Sequence, residues 1–466
     1  MAQICFHARS HAARAARPSL LGLALLLATG VAGAQVFAQP DTGFSGSIRA
    51  TAPMVLPGSE TGIEGKGFTP GQKVTLQRGD TVLNPQPYVA DGEGKFTGTL
   101  AIPADAVAGS QPIVVRAAGP DAATVFALQV SREVPLSGQE RIQAVSNKLA
   151  QGLYQVAYSP ASKAAFVTSA VGRPPVKQSE LLKVDPETLQ IVARVSPQAA
   201  PGNDGNLFAV YGVGVDDGNG TVWVTNTRQD TVAVYRQSDL ALVKQFPVGA
   251  VSHARDVVVD AQRNRAYVSA TGADFISVFD TRTLQQLDNI TIASSKRGET
   301  FTPTSLDIDP ATGKVYTVSL GVAEAAIIDG ASGKVEKVFP LAGARDAIGV
   351  AWNPVAKRLL VVSQGSDNLL IVDPVSGKVE HDVYVGAGAL NVSYSPSTRL
   401  AYVSNRAAGT VTVVDESGNL VANLDGGTYP NHVSKGPATV MFAVNKSRGE
   451  DDAKGDRITR FVPQQR

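Results

Sequence analysis

Val222-Trp223-Val224-Thr225-Asn226 followed by Thr231-Val232-Ala233-Val234-Tyr235-Arg236 reads as an alternating strand, a short polar loop and a second alternating strand. The phrase returns as Ala266-Tyr267-Val268-Ser269 with Ile276-Ser277-Val278-Phe279-Asp280. It returns again as Ala401-Tyr402-Val403-Ser404-Asn405 with Thr410-Val411-Thr412-Val413-Val414-Asp415. The residue closing the second strand falls at Asp185, Arg236, Asp280, Asp329, Asp373, Asp415 and Val462, in steps of 51, 44, 49, 44, 42 and 47 residues. β-Repeats of this length read as propeller blades, because a four-stranded blade cannot bury both faces alone and must stack on its neighbours. Seven copies predict a seven-bladed β-propeller over residues 141–466. The last copy lacks an outer strand after Ile458-Thr459-Arg460-Phe461, and Arg141 to Val145 is placed to supply it, closing the ring and removing its free edges.

The remaining chain divides into three parts. Arg9, Arg14 and Arg17 precede an apolar run from Leu20 to Val31 and the small residues Ala32-Gly33-Ala34, so residues 1–34 read as a secretory signal peptide too short to span a bilayer. The only cysteine, Cys5, lies inside that leader, which leaves no disulfide, haem-attachment motif or thiolate metal site beyond it. Residues 44–133 carry short alternating runs, such as Lys73-Val74-Thr75-Leu76 and Gly98-Thr99-Leu100-Ala101-Ile102, between Gly, Pro and Asp turns; they predict an Ig-like β-sandwich. Residues 134–140, around Pro135-Leu136-Ser137-Gly138, read as a linker. The expected fold class is therefore all-β, an N-terminal sandwich followed by a propeller. Without the leader, 39 Lys and Arg face 41 Asp and Glu, so no global basic field points to nucleic acid or to an anionic membrane.

Gly152-Leu153-Tyr154-Gln155-Val156-Ala157-Tyr158-Ser159, Lys183-Val184-Asp185-Pro186-Glu187-Thr188-Leu189, Asn405-Arg406-Ala407-Ala408-Gly409 and Thr428-Tyr429-Pro430-Asn431-His432 resemble the YVTN-repeat family of seven-bladed propellers, above all its YncE-like periplasmic members. The resemblance covers residues 141–466 and leaves out the sandwich. It implies the fold and a periplasmic location, and it assigns no catalytic residue.

In a propeller the inner strands line a central channel, and their entry loops open on one face. Aligning the repeats puts Gln155, Gly212, Asp256, Ser305, Gly349, Asn391 and His432 in a ring at that mouth. Tyr154, Tyr211, Arg255, Thr304, Ile348, Leu390 and Asn431 form the ring one residue earlier. Arg228, Arg255, Arg345 and Arg406, with Lys446 and Arg448, bring cations to the same face, where guanidinium forks suit carboxylate, phosphate or sulfate groups. The plainer alternative pairs Arg255 and Arg345 with their neighbours Asp256 and Asp346. The expected ligand-binding set is Arg228, Arg255, Asp256, Arg345, Asn391, Arg406, Asn431 and His432.

No metal, cofactor or catalytic residue is assigned. The aspartates that close the second strands read as turn residues, and Asp216-Asp217-Gly218-Asn219-Gly220 as a hairpin rather than a calcium loop, since it lacks the twelve-residue loop and closing Glu. Only His253, His381 and His432 follow the leader, too few for a histidine-based zinc site. The expected function is a non-catalytic exported propeller that binds an anionic small molecule, or a periplasmic or outer-membrane protein, at its mouth. A metal-assisted lyase or lactonase using His432 and Asp256 is the first alternative. Single-stranded nucleic acid stacked on Tyr154 or Tyr211 is the second.

Overall fold

The computed structural model describes residues 43–173, 175–202 and 205–464. The expected leader lies outside them. The described chain is all-β, and its one helical element is a single 3-10 turn, Thr227–Gln229. From Ser45 onward it forms one compact unit.

Seven antiparallel arrays follow one another from Leu153, each four strands deep, with the outer strand of the third split into Gln285–Gln286 and Ile290–Thr291. Their inner strands are Leu153–Ser159, Val210–Asp216, Ala254–Asp260, Pro303–Asp309, Ala347–Asn353, Ala389–Ser395 and Pro430–Lys435. We number the blades one to seven in that order. In blade seven the outer strand is Ile142–Lys148, which pairs antiparallel with Arg457–Pro463 in a register that sets Phe461 opposite Ala144. The ring is thus closed by a strand from the other end of the propeller segment, as the truncated last repeat requires.

Alternation in each strand sends apolar side chains to both faces of a blade, and each face is buried against the next blade. Phe166, Leu181, Val213, Val224 and Tyr235 pack between blades one and two. Trp223, Phe246, Val257 and Phe279 pack between two and three. Five further clusters of the same kind continue the series, the last joining Phe442 and Ile458 of blade seven to Val156 and Val167 of blade one. Each wedge depends on its neighbour, so an interior truncation here costs the ~2–5 kcal/mol of a large-to-small core change.

The aspartates at the blade turns do local work. Asp185 Oδ1 accepts from the amides of Glu187 and Thr188, Asp280 from Arg282 and Thr283, Asp329 from Ala331 and Ser332, and Asp415 from Ser417 and Asn419. These donors hold the Asp185, Asp280 and Asp329 carboxyls below the usual range. Asp216 likewise accepts from Gly218 and Asn219 within its hairpin.

Ahead of the propeller lie two further antiparallel sheets. Ser47–Ala50, Glu60–Lys66 and Phe96–Ala101 form one; Lys73–Arg78, Gly109–Ala118 and Ala122–Val130, with two short strands, form the other. Buried and exposed residues alternate along Gly109–Ala118, and Ile63, Val74, Leu76, Ile113, Val115 and Leu128 are buried. This sandwich is tied to blades five and six through Asp367. The carboxylate is 1% exposed and accepts from Gln129 Nε2 at 3.0 Å, Ser131 Oγ at 2.7 Å and Gly388 N at 2.8 Å. Tyr384 adds a second tie: its hydroxyl accepts from Arg132 N at 2.6 Å, and its ring lies 4.2 Å beneath the Arg132 guanidinium. Asp367→Ala orphans three donors at this joint, a loss of ~2 kcal/mol. We expect faster proteolytic cleavage within residues 134–140 in that variant, whereas a wild-type cleavage rate would show that the sandwich is held elsewhere.

Candidate functional site

The mouth is built by a defect repeated in every inner strand. The pairing register slips between Leu153 and Val156, Val210 and Val213, Ala254 and Val257, Pro303 and Leu306, Ala347 and Gly349, Ala389 and Asn391, and Pro430 and His432. A bulge breaks the alternation of a strand and re-aims its side chains. Consecutive residues therefore face the same space: Tyr154 and Gln155, Leu390 and Asn391, and Asn431 and His432 all line one pocket of about 470 Å³. That volume is within the roughly 300–1,000 Å³ usual for small-molecule sites. Two blades give no side chain to the lower ring. A Cβ on Gly212 would run into the Arg255 carbonyl, and one on Gly349 would meet the Leu390 carbonyl at 2.9 Å.

A second ring comes from the position that immediately follows the second strand of a blade. Those strands end at Asn226, Ala270, Ser319, Ser363, Asn405 and Asn445 in blades two to seven, and the next residues, Thr227, Thr271, Leu320, Gln364, Arg406 and Lys446, all line the pocket. Every blade thus gives the pocket one or two residues at its inner-strand bulge, and blades two to seven add one from the loop above.

The lower ring is largely occupied in holding blades together. Gln155 Oε1 accepts from Val213 N of blade two at 2.9 Å, and Gln155 Nε2 donates to Asp256 Oδ1 of blade three at 3.2 Å. Asp256 also accepts from Val257 N at 3.0 Å and from Leu306 N of blade four at 2.9 Å. Asn391 Oδ1 accepts from Val433 N at 2.9 Å, and His432 Nδ1 accepts from Val156 N at 3.4 Å. That last bond assigns the ring proton of His432 to Nε2. Burial, with the Arg255 charge nearby, pushes the His432 imidazole down to about 3, so it is neutral at working pH and acts as a donor.

The upper part of the pocket is cationic. Arg228, Arg255, Arg406 and Lys446 line it, and no Asp or Glu does. No ion pair among the described residues involves any of the four. Arg406 Nη1 donates to Asn431 Oδ1 at 2.6 Å, and Asn431 Nδ2 donates to the Tyr154 carbonyl at 2.7 Å, which fixes the guanidinium across blades six, seven and one. Arg228 Nε donates to Tyr211 Oη at 3.3 Å. The Lys446 ammonium lies 3.0 Å over the Tyr154 ring, which meets Tyr211 edge-on at 4.0 Å. Burial, reinforced by the Arg406 and Arg228 charges, pushes the Lys446 amine down to about 6. Asp256 makes no direct ion pair with Arg255, although its charge acts on the guanidinium from below.

Of the residues expected from sequence, Arg228, Arg255, Asn391, Arg406, Asn431 and His432 line this pocket. Asp256 lies beneath it, 6% exposed, with its carboxylate spent on the three bonds above. Arg345 is placed elsewhere. It precedes Asp346, whose φ of 54° turns the chain before the inner strand, and its guanidinium bonds the Gly365 carbonyl and Gln129 of the sandwich. Sequence alignment of the inner strands did not bring forward Thr227, Thr271, Leu320 and Gln364; the position after each second strand was the available signal. Among the described residues no three His, Cys, Asp or Glu side chains converge as a metal site, and no helix is long and apolar enough to cross a membrane.

Fold and site together define a seven-bladed β-propeller with a cation-lined mouth. No protein-family model matches the chain. It is similar to the Salmonella typhi protein named "Uncharacterized protein YncE", 24% identical over 319 residues that cover 65% of this chain and 86% of the relative; the Salmonella typhimurium counterpart matches to the same extent. Among solved structures, Kuenenia stuttgartiensis hydrazine synthase matches with a TM-score of 0.52 at 18% identity, over 64% of this chain and 94% of that one. Virginiamycin B lyase from Staphylococcus aureus matches at 0.54 and 10% identity, over 69% and 100%. These likenesses support a propeller similar to YncE, and at such identities the structural ones carry the fold alone.

Proposed function

We propose that this protein is an exported, non-catalytic propeller that binds an anionic ligand in its mouth. In this reading residues 1–34 direct export to the periplasm, residues 44–133 are an Ig-like accessory module and residues 141–466 hold the site. One observation carries it: three guanidinium groups and the Lys446 amine line a pocket with no carboxylate in its wall, and a protein that concentrates unpaired positive charge in a concavity incurs a standing electrostatic cost that an anion relieves. The Arg255 guanidinium has no hydrogen-bond partner among the described residues, so its fork is open to a ligand.

The lower ring speaks against the alternative of His432 and Asp256 as reacting groups. Both are committed to backbone amides of neighbouring blades, and an imidazole held at about 3 is a poor base at neutral pH.

Thermal shift and calorimetry against phosphate, sulfate, citrate and a short single-stranded oligonucleotide test the proposal. Binding is expected to weaken with salt and to fall roughly 10- to 100-fold in Arg255→Ala or Arg406→Ala, the effect of losing one charge-assisted hydrogen bond. Binding that ignores salt and both substitutions would overturn it. Response to the oligonucleotide alone would move the assignment to nucleic acid.

A further inference from the structure

The walls of the mouth differ across the channel. The cationic and aromatic residues Lys446, Tyr154, Tyr211 and Arg228 come from blades seven, one and two. On the other side, blades four, five and six supply Leu320, Ile348 (4% exposed) and Leu390 to the same pocket, beside Ser305, Gln364 and Asn391. Leu320 and Leu390 are partly exposed there, although nearly every other leucine of the propeller's second strands and inner strands is buried. An inorganic ion would use the first wall and leave the second wet. We infer that the ligand is an organic anion with an apolar body, its charged end on Arg228, Arg406 and Lys446 and its apolar part against Leu320, Ile348 and Leu390.

This inference rests on the anion-binding reading and sharpens it. The two tyrosines belong to the cationic wall: their rings meet at 84°, and Lys446 covers the face of Tyr154. Arg406 belongs to blade six, beside Leu390, and its bond to Asn431 holds it toward blade seven. The charged end is thereby drawn to one side of the pocket and the apolar wall left for the rest of the molecule. Burying a ring-sized apolar body there is worth at least a tenfold gain in affinity over the bare anion.

Calorimetric titration of the purified protein with inorganic phosphate, phenyl phosphate, hexyl phosphate and phenol separates the possibilities. Phenyl phosphate and hexyl phosphate are expected to bind at least ~10-fold more tightly than phosphate. Leu390→Asn and, independently, Leu320→Ser are expected to erase most of that preference while leaving phosphate affinity unchanged. Arg406→Ala is expected to weaken all three phosphates together. Equal affinity for phosphate and its organic esters overturns the amphiphilic assignment and leaves the anion site standing. Failure of every phosphate to bind, or phenol binding as tightly as phenyl phosphate, overturns both.

Discussion

Replacing Asp256 by alanine is expected to cost about 3 kcal/mol of folding free energy, among the largest effects of any single change near the mouth. The carboxylate joins three blades: it accepts from Gln155 of blade one, Val257 of its own strand and Leu306 of blade four. Two terms oppose each other. Burial raises the Asp256 carboxyl above its ordinary value, so removing it recovers a desolvation cost. Against that, alanine leaves three donors without acceptors at ~1–3 kcal/mol each and leaves Arg255 without its nearest negative charge, and this second sum is the larger. Asp256→Asn keeps one oxygen but turns an amide donor toward either Leu306 N or the other donor pair, so it should fall between alanine and wild type. Urea unfolding followed by near-ultraviolet circular dichroism measures the difference. An alanine variant within 1 kcal/mol of wild type would show that the blades do not depend on this joint.

That role for Asp256 marks where the sequence stops being legible. Periodicity gave the blades because each copy repeats the same alternation at similar spacing, and the missing outer strand after Phe461 pointed for a topological reason to Arg141 to Val145, where the structure has Ile142–Lys148. The mouth was partly legible for a related cause: inner strands in register place Asn391 and His432 at one level and Arg255 and Asn431 one residue earlier, and all four line the pocket. What one repeat cannot reveal is which other blade its side chain meets. Asp256 and an arginine beside it look like a site, yet the carboxylate is consumed by Gln155, a hundred residues earlier in the chain. Arg345 looks like a second Arg255, but it lies ahead of the inner strand, where Ile348 holds the position equivalent to Arg255, and the sandwich takes its guanidinium. The loop ring was the missed opportunity. Thr227, Thr271, Leu320, Gln364, Arg406 and Lys446 each follow the repeated strand directly, so the alignment that found the blades already held the second half of the mouth.

Lys446 is expected to make ligand affinity fall as pH rises from 6 to 8, by up to ~10-fold per unit, and to do so through its own titration. The groups around its amine set the direction. Burial is the largest influence; Arg406 and Arg228 repel a proton on it, Asp456 favours one, and the Tyr154 ring replaces water on one side, and together they bring it down to about 6. Below that value the free protein already carries the charge that an anion needs. Above it, binding must draw a proton onto Lys446, so affinity declines with pH until the bound-state value is reached, and calorimetry in buffers of different ionisation enthalpy should register proton uptake. Lys446→Arg keeps the charge and should flatten the profile at high affinity. His253 is the other titrating group at the rim, lowered by burial and by Arg228, and a pH dependence that survives in Lys446→Arg would transfer the effect to it. The same shift acts on stability with a fixed sign. The unfolded lysine binds its proton up to about 10.4, whereas the folded one releases it above about 6. Stability is therefore reduced progressively as pH falls from about 10 to 6, and the penalty is constant below that. Lys446→Met removes the penalty and should stabilise the protein by ~1–2 kcal/mol at neutral pH while abolishing most anion binding, a trade of the kind expected where function holds an unfavourable charge in place. A methionine variant that loses stability, or that binds phosphate as wild type does, would mean that the amine is solvated in the free protein and takes no part in the site.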